Sequence, residues 1–186
     1  MKFVRFVLIV LLFSVVIVSC QKDQNMDAPA VKAALKSDAS NNSENFLAVS
    51  GTLNVKIGDS TYIFNAAQDS IAFINVNIDS NKYFGITAIN KQHTMSFGIS
   101  SPGFAAPGIN NAVAGSQLLF SVAGKHGAQY TLSKIDGPDF VNQINLTHYL
   151  QDSVLTQGSF TTFMTNKENG DVVTNKVNGT FNLRIK

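Results

Sequence analysis

The stretch that decides the fold class is Gly158–Lys186, which reads GSFTTFMTNKENGDVVTNKVNGTFNLRIK. Gly158–Thr165 is rich in β-branched and aromatic residues, and Asn166–Asp171 contains an Asn-Gly pair that is typical of a turn between strands. Apolar and polar residues then alternate to the end of the chain, with Val177, Phe181, Leu183 and Ile185 on one side and Asn178, Thr180, Asn182 and Arg184 on the other. A period of two predicts a strand with one buried and one solvated face, so the chain ends in an antiparallel hairpin.

The same pattern recurs upstream of this hairpin. The apolar columns are Leu53, Val55, Ile57; Ile74, Val76, Ile78; Phe84, Ile86, Ala88; Met95, Phe97, Ile99; and Ile144, Leu146, His148, Leu150. Short turn signals separate them, and no connection has room for a helix, which favours antiparallel pairing. We therefore predict an all-β domain of about eight to ten strands, either a single antiparallel β-sandwich or a partly closed β-barrel. Alternation alone does not distinguish the two.

One segment interrupts the rhythm. Ser100–Gly115 contains Pro102 and Pro107, and because proline lacks the backbone donor of a ladder, the segment is expected to be a long loop rather than a central strand. Phe104 and Ile109 give this loop an apolar character. Two interpretations follow: the loop is an exposed contact site, or it closes one end of the domain as a lid over the core. The need of a β-domain to close its ends favours the lid.

The N-terminus has the pattern of a secretory signal. Lys2 and Arg5 form a basic region, and Phe6–Val18 is an almost unbroken apolar run, which is short for a permanent membrane span. Ile17-Val18-Ser19-Cys20 resembles the lipobox of bacterial lipoproteins. The resemblance implies a signal peptide over 1–19, cleavage before Cys20, and a diacylglycerol on the Cys20 sulfur with a further acyl chain, such as palmitate, on the new amino group. An uncleaved anchor helix is the alternative.

The residues after the cysteine extend this resemblance. Gln21-Lys22-Asp23 resembles the export signal that sends Bacteroidota lipoproteins to the outer face of the outer membrane, with Gln24 where a second acid is expected. Residues 20–45 are otherwise rich in Ala, Ser, Asn and Lys, a composition typical of a flexible tether. We therefore place the acylated cysteine and tether at 20–45 and the antiparallel β-domain at 46–186. Cys20 is the only cysteine, so an intrachain disulfide is excluded.

The terminal strand carries a further resemblance. Gly179-Thr180-Phe181-Asn182-Leu183 is similar to the glycine-led strand that closes the C-terminal β-domain of a group of Bacteroidota lipoproteins whose function is unassigned. The resemblance covers the final hairpin and the lipobox. It implies a small β-domain on a lipid anchor, and it implies no catalytic residue in this chain.

Charge excludes one class of partner. Two of the 14 basic residues lie in the signal, so the rest of the chain contains 12 Lys and Arg and 12 Asp and Glu, and its formal charge is near zero. No basic cluster follows Cys20. A nucleic-acid-binding protein needs a basic face to neutralise phosphates, so this class is set aside. The remaining chain is long enough for one domain with a core, to which 14 Phe contribute, and it contains no Trp.

Candidate catalytic and metal-binding residues are few. The acids of the β-domain fall at predicted turns, where Asp serves local backbone bonding. His93, His126 and His148 are isolated from one another, and His148 falls in the apolar column of its strand, where a buried histidine with one hydrogen bond is the simplest interpretation. We therefore predict no catalytic residue, no metal site and no cofactor.

Three short motifs suggest a modification. Asp59-Ser60-Thr61, Asp69-Ser70-Ile71 and Asp152-Ser153-Val154 resemble the three-residue O-glycosylation motif of Bacteroidota. The resemblance implies glycans on Ser60, Ser70 and Ser153. Turn chemistry accounts for the same Asp-Ser pairs without modification.

These observations favour a non-enzymatic binding or structural module, lipid-anchored at the outer membrane or cell surface through Cys20. Its expected partner is a glycan or a protein, and a sugar platform would have to use Tyr62, Tyr83, Tyr130 or Tyr149 in the absence of Trp. Two alternatives stay open: a carrier that holds a small apolar ligand inside a Phe-rich barrel, and a hydrolase whose site is built from loops around His126 or His148.

Overall fold

The computed structural model describes residues 44–78, 81–122, 125–135, 137–168 and 170–185. This part of the chain forms strands and turns, and it contains no helix long and apolar enough to cross a membrane. Its strands are β1 (Glu44–Leu47), β2 (Ser50–Ile57), β3 (Ser60–Asn65), β4 (Ser70–Ile78), β5 (Asn81–Ile89), β6 (Met95–Pro102), β7 (Gly108–Ala112), β8 (Gly115–Val122), β9 (Lys125–Leu132), β10 (Gln143–Gln151), β11 (Val154–Glu168) and β12 (Asp171–Arg184).

The strands form one antiparallel sheet in the order β1-β4-β5-β6-β8-β9-β11-β12-β2-β3, and β10 pairs with both β11 and β7. The sheet curls on itself, because aromatic rings on strands that are not neighbours meet inside it. Phe97 of β6 and Phe160 of β11 have ring centroids 5.2 Å apart, and Phe73 of β4 and Tyr149 of β10 are 5.1 Å apart. The predicted all-β, antiparallel class is confirmed, and the architecture is a half-barrel.

The segment between β1 and β2 joins the two halves of the curled sheet. The Ala48 N–H donates to the Ile71 carbonyl of β4 at 2.9 Å, and the next residue, Val49, donates to the Arg184 carbonyl of β12 at 2.8 Å. Successive N–H groups of an extended chain point to opposite sides. One bend in the chain therefore holds together strands that stand far apart in the sheet order.

The terminal hairpin is the longest element of the sheet. Val177, Phe181 and Leu183 are buried as predicted, while Thr180 and Asn182 are exposed. Two of its cross-strand pairs each join a glycine to a phenylalanine: Gly158 lies opposite Phe181, and Phe160 lies opposite Gly179. Each ring covers the glycine across from it.

The buried side chains fill the interior of the half-barrel. The largest that are fully buried are Phe64, Phe73, Phe84, Phe181, Leu53, Ile71, Ile86, Leu118, Ile144, Leu146, Leu155 and Met164. Four of the six predicted apolar columns contribute to this set, through Leu53, through Phe84 and Ile86, through Ile144 and Leu146, and through Phe181. Phe97 and Ile99 of a fifth column are also buried, so the period-two pattern identified much of the core correctly.

The predicted alternation of buried and exposed side chains along β10 was wrong beyond Leu146. The pairing of β10 with β11 shifts register between Leu146 and His148, which is a β-bulge, so the side chains that follow change faces. His148 is consequently exposed rather than buried, and Tyr149 takes the inward position against Phe73.

The apolar column of β4 also faces the other way. Ile71 and Phe73 are the buried residues of this strand, and Ile74 and Val76 lie on the opposite, outer face. The alternation itself is present as predicted. Apolar residues on both faces of β4 made the assignment of the inner face ambiguous in the sequence.

The segment Ser100–Gly115 is only partly a loop. β6 continues to Pro102, and β7 forms a short strand that pairs with β10. A proline excludes a central strand, but an edge strand such as β7 needs a ladder on one side only. Ala105 is partly buried against the core, whereas Phe104 and Ile109 are 58% and 77% exposed. These two side chains therefore do not form the lid that we expected.

Candidate functional site

A shallow concave surface of about 420 Å³ lies on the outer face of β4, β5, β6 and β8. The strand registers arrange its lining in rows that cross the sheet. The middle row is Ile74, Gly85, Ser100 and Gly115; Val76 and Tyr83 stand on one side of it, and Thr87, Gly98, Gln117 and Thr131 stand on the other. We call this surface the glycine groove.

Glycines create the depression. Gly85, Gly98 and Gly115 lie on three adjacent strands and place no side chain on the outer face. Side chains of neighbouring rows therefore rise above them. At Gly85 the backbone requires the glycine, because a Cβ atom would overlap the Ile99 carbonyl oxygen. At Gly98 a Cβ atom would only touch Thr87 Cγ2 at 3.9 Å, so the groove is open at this point.

The chemistry of the groove is neutral and amphipathic. Ile74, Val76 and the Tyr83 ring supply apolar surface, and all three are half-buried. Thr87, Gln117 and Thr131 are exposed and offer hydroxyl and amide groups that both donate and accept hydrogen bonds. Among the described residues that line the groove, none carries a formal charge at neutral pH.

Tyr83 is the one of the four candidate tyrosines that lines the glycine groove. Tyr62 packs on Phe120 with ring centroids 5.1 Å apart, and Tyr130 meets the same ring at 6.2 Å. Tyr149 packs on Phe73, as described above. These three of the four candidate tyrosines are thus engaged in aromatic contacts with the core, whereas Tyr83 lines the groove.

The exposed loop begins at the Tyr83 end of the groove. Tyr83 pairs with Pro102, and the Gly103 N–H donates to the Lys82 carbonyl at 2.7 Å. Lys82 Nζ lies 3.4 Å from the centroid of the Phe104 ring, a cation–π contact that holds the exposed ring in place. Ile109 lies further along, on β7, and the structure does not bring it into the groove.

The three serines of the O-glycosylation motifs differ in exposure. Ser60 and Ser70 are exposed, and Ser153 is partly buried and accepts a hydrogen bond from Arg184 Nη1 at 3.3 Å. Asp69, which precedes Ser70, serves the backbone: its carboxylate accepts from the N–H groups of Asn65 and Lys91 at 2.7 and 2.8 Å. The structure therefore supports a turn role for Asp69 and leaves modification of the serines as a prediction.

The described residues hold no group of three or more His, Cys, Asp or Glu placed to share a metal ion. His93 lies in the turn between β5 and β6 and His148 lies on β10, both exposed, and the side chain of His126 lies outside what the structure describes. Among the described residues, depressions are also present between β9 and β11 near Lys167 and beside His93. Neither combines an apolar wall with an aromatic ring and glycines from three adjacent strands.

The predicted signal peptide at 1–19 and the residues that follow it, Cys20, Gln21, Lys22 and Asp23, lie outside the described residues. The tether predicted at 20–45 also does so up to residue 43, and β1 begins at Glu44. The lipid anchor and the export signal therefore stay predictions.

Comparison with known protein families, with curated proteins and with solved structures finds no match to this chain. The groove was not predicted from the sequence. The available signal was the presence of single glycines, Gly85 and Gly98, inside strongly patterned strands, which often marks a place where something approaches the backbone closely.

Proposed function

We propose that this protein is a non-enzymatic binding module, anchored by lipid at Cys20 to the outer membrane or cell surface, and that the glycine groove is its binding surface. The observation that carries the proposal is the position of Ile74, Val76 and Tyr83. They stand on the solvent side of the sheet, beside glycines, rather than in the core. Apolar side chains gathered on an outer face often mark a contact site.

The interior supports binding outside rather than inside the half-barrel. Phe64, Phe73, Phe84 and Phe181 are fully buried and pack where a carrier would need a cavity. This packing counts against the alternative of an apolar-ligand carrier.

The lipid anchor is tested separately from the groove. Metabolic labelling with a fatty-acid probe should mark the wild-type chain and should not mark the Cys20→Ala variant. A single acyl chain binds a membrane only marginally, whereas two or more chains bind it stably. The wild type should therefore also stay in the membrane fraction. Equal labelling of the wild type and the Cys20→Ala variant, or no labelling of either, would contradict the proposed lipid anchor.

The binding role is tested by crosslinking in membranes and identification of what co-purifies. The test variant is Gly98→Val, which fills the groove from a position where a Cβ atom has space. The matched control is Asn182→Val, which adds a valine to the exposed outer face of β12 on the other half of the sheet. We expect the partner to be lost with Gly98→Val and kept with Asn182→Val. A wild-type chain that purifies with neither a protein nor a glycan contradicts the proposal.

A further inference from the structure

We propose that the glycine groove binds an uncharged oligosaccharide or polysaccharide, an inference that rests on the binding function proposed above. Three properties of the groove lead to this ligand class: its charge, its distribution of polar groups and its position on a sheet face.

The charge of the lining is the first argument. The described residues of the groove include no Lys, Arg, His, Asp or Glu. An anionic ligand such as a phosphorylated or uronic-acid-containing glycan needs basic partners, and a cationic peptide needs acidic ones. Burying a charge against this surface without a partner would be unfavourable, so the groove discriminates in favour of neutral ligands.

The distribution of polar groups is the second argument. Thr87, Gln117 and Thr131 stand in one row with Gly98 and supply neutral groups that donate and accept hydrogen bonds, and the apolar side chains Val76 and Tyr83 lie on the other side of the middle row. A sugar ring has the same division, with hydroxyl groups around its edge and C–H groups on its faces. One edge can bond to the Thr and Gln row while a face packs on the tyrosine ring.

The position on a sheet face is the third argument, and it separates a saccharide from a peptide. An extended peptide gains affinity from main-chain hydrogen bonds at a free sheet edge. Here β5, β6 and β8 are already paired on both sides, so their backbone donors and acceptors face one another within the sheet. The row from Ile74 to Gly115 crosses three strand spacings, about 14 Å at about 4.8 Å each, which is enough for a few linked sugar rings.

The test uses the full-length protein purified from membranes in a non-ionic detergent. Native gels are cast with one of four neutral polysaccharides, yeast mannan, dextran, amylopectin or xyloglucan, or with the acidic polysaccharide alginate. We expect at least one neutral polysaccharide to slow the wild-type protein and alginate not to slow it. Gly98→Val and Tyr83→Ala should each weaken this binding at least tenfold, while Asn182→Val should retain it.

Several results would overturn the inference: no retardation by any neutral polysaccharide, retardation by alginate alone, or equal retardation of the wild type and Gly98→Val. Urea midpoints of the variants show whether each one is folded, and Gly98→Val keeps the test decisive if Tyr83→Ala unfolds. The crosslinking experiment separates the two proposals. A protein partner lost with Gly98→Val, in the absence of any polysaccharide binding, overturns the saccharide and keeps the binding module.

Discussion

The ring of Phe160 occupies the space over Gly179 on the neighbouring strand, where any Cβ atom would overlap the ring. Phe181 covers Gly158 in the same way, two pairs further along the hairpin. β11 and β12 therefore each supply one phenylalanine ring and one glycine, and each glycine leaves space for the ring of the other strand. Because a slip of one residue would bring a Cβ atom against a ring and turn every side chain to the other face, these pairs fix the register of β11 and β12.

Replacement of the covered glycine should destabilise the domain. We expect Gly179→Ala to lower the free energy of unfolding by about 1–3 kcal/mol, because the added methyl group meets both the Phe160 ring and the Asn54 carbonyl oxygen. The measurement is urea unfolding. Gly98→Ala is the matched control, since its Cβ atom enters open space, and its stability should stay within about 0.5 kcal/mol of the wild type. Equal stability of the two variants would show that the ring moves aside freely.

A second prediction concerns a buried polar contact. Ser116 of β8 and Thr162 of β11 share a hydrogen bond of 3.0 Å, and Thr162 donates at 3.0 Å to Asn142 Oδ1. Thr162→Val leaves the Ser116 hydroxyl buried without this partner, so we expect a loss of about 1–3 kcal/mol. The double variant Ser116→Ala, Thr162→Val should lose less than the sum of the single variants, as measured by urea unfolding. Additive losses would mean that the two hydroxyls are not coupled.

A third prediction goes in the opposite direction. Thr156 is fully buried, and its hydroxyl has no hydrogen-bond partner among the described residues. Valine has nearly the same shape and lacks the hydroxyl. Thr156→Val should therefore raise the free energy of unfolding by about 1 kcal/mol, because the cost of burying the hydroxyl is removed. A destabilised variant would indicate that this hydroxyl makes a bond in solution.

A fourth prediction concerns alkaline pH. Burial raises the pKa of the Tyr130 phenol, and the negative charge of Glu168 raises it further. The folded chain then holds a proton that the unfolded chain releases above the ordinary tyrosine pKa of about 10. The stability contributed by this group is complete below about pH 10 and is lost as pH rises through the folded value.

Tyr130→Phe removes this contribution. Urea unfolding of the two proteins from about pH 8 to about pH 11 should show the wild type losing stability relative to the variant above about pH 10. A constant difference over this range would mean that the phenol titrates alike in the folded and unfolded chains.

A fifth prediction concerns modification. If the Asp-Ser motifs are glycosylated, the intact mass of the native protein exceeds that of the acylated polypeptide, and the exposed Ser60 and Ser70 carry the added mass before the partly buried Ser153. Ser60→Ala and Ser70→Ala should each lower the mass by one glycan. A native mass equal to that of the acylated polypeptide removes the hypothesis.

Period-two alternation was sufficient to predict the class of the fold and much of its core. Leu53, Val55, Val177, Phe181 and Leu183 are buried because a strand with one wet face must place every second residue inward. The failure at His148 has a physical reason. The bulge depends on how β10 pairs with β11, and nothing local to β10 encodes that register.

The sequence by itself determined the local properties of this protein: where strands begin and turn, which residues are too polar for the core, and the lipobox-like N-terminus. Only the tertiary structure decided that Ile74 and Val76 face solvent and that Gly85, Gly98 and Gly115 come together in one groove. These glycines are separated along the chain by 13 and 17 residues and become neighbours only through the pairing of β5, β6 and β8. Periodicity describes single strands, whereas a surface that crosses several strands is set by their order and register.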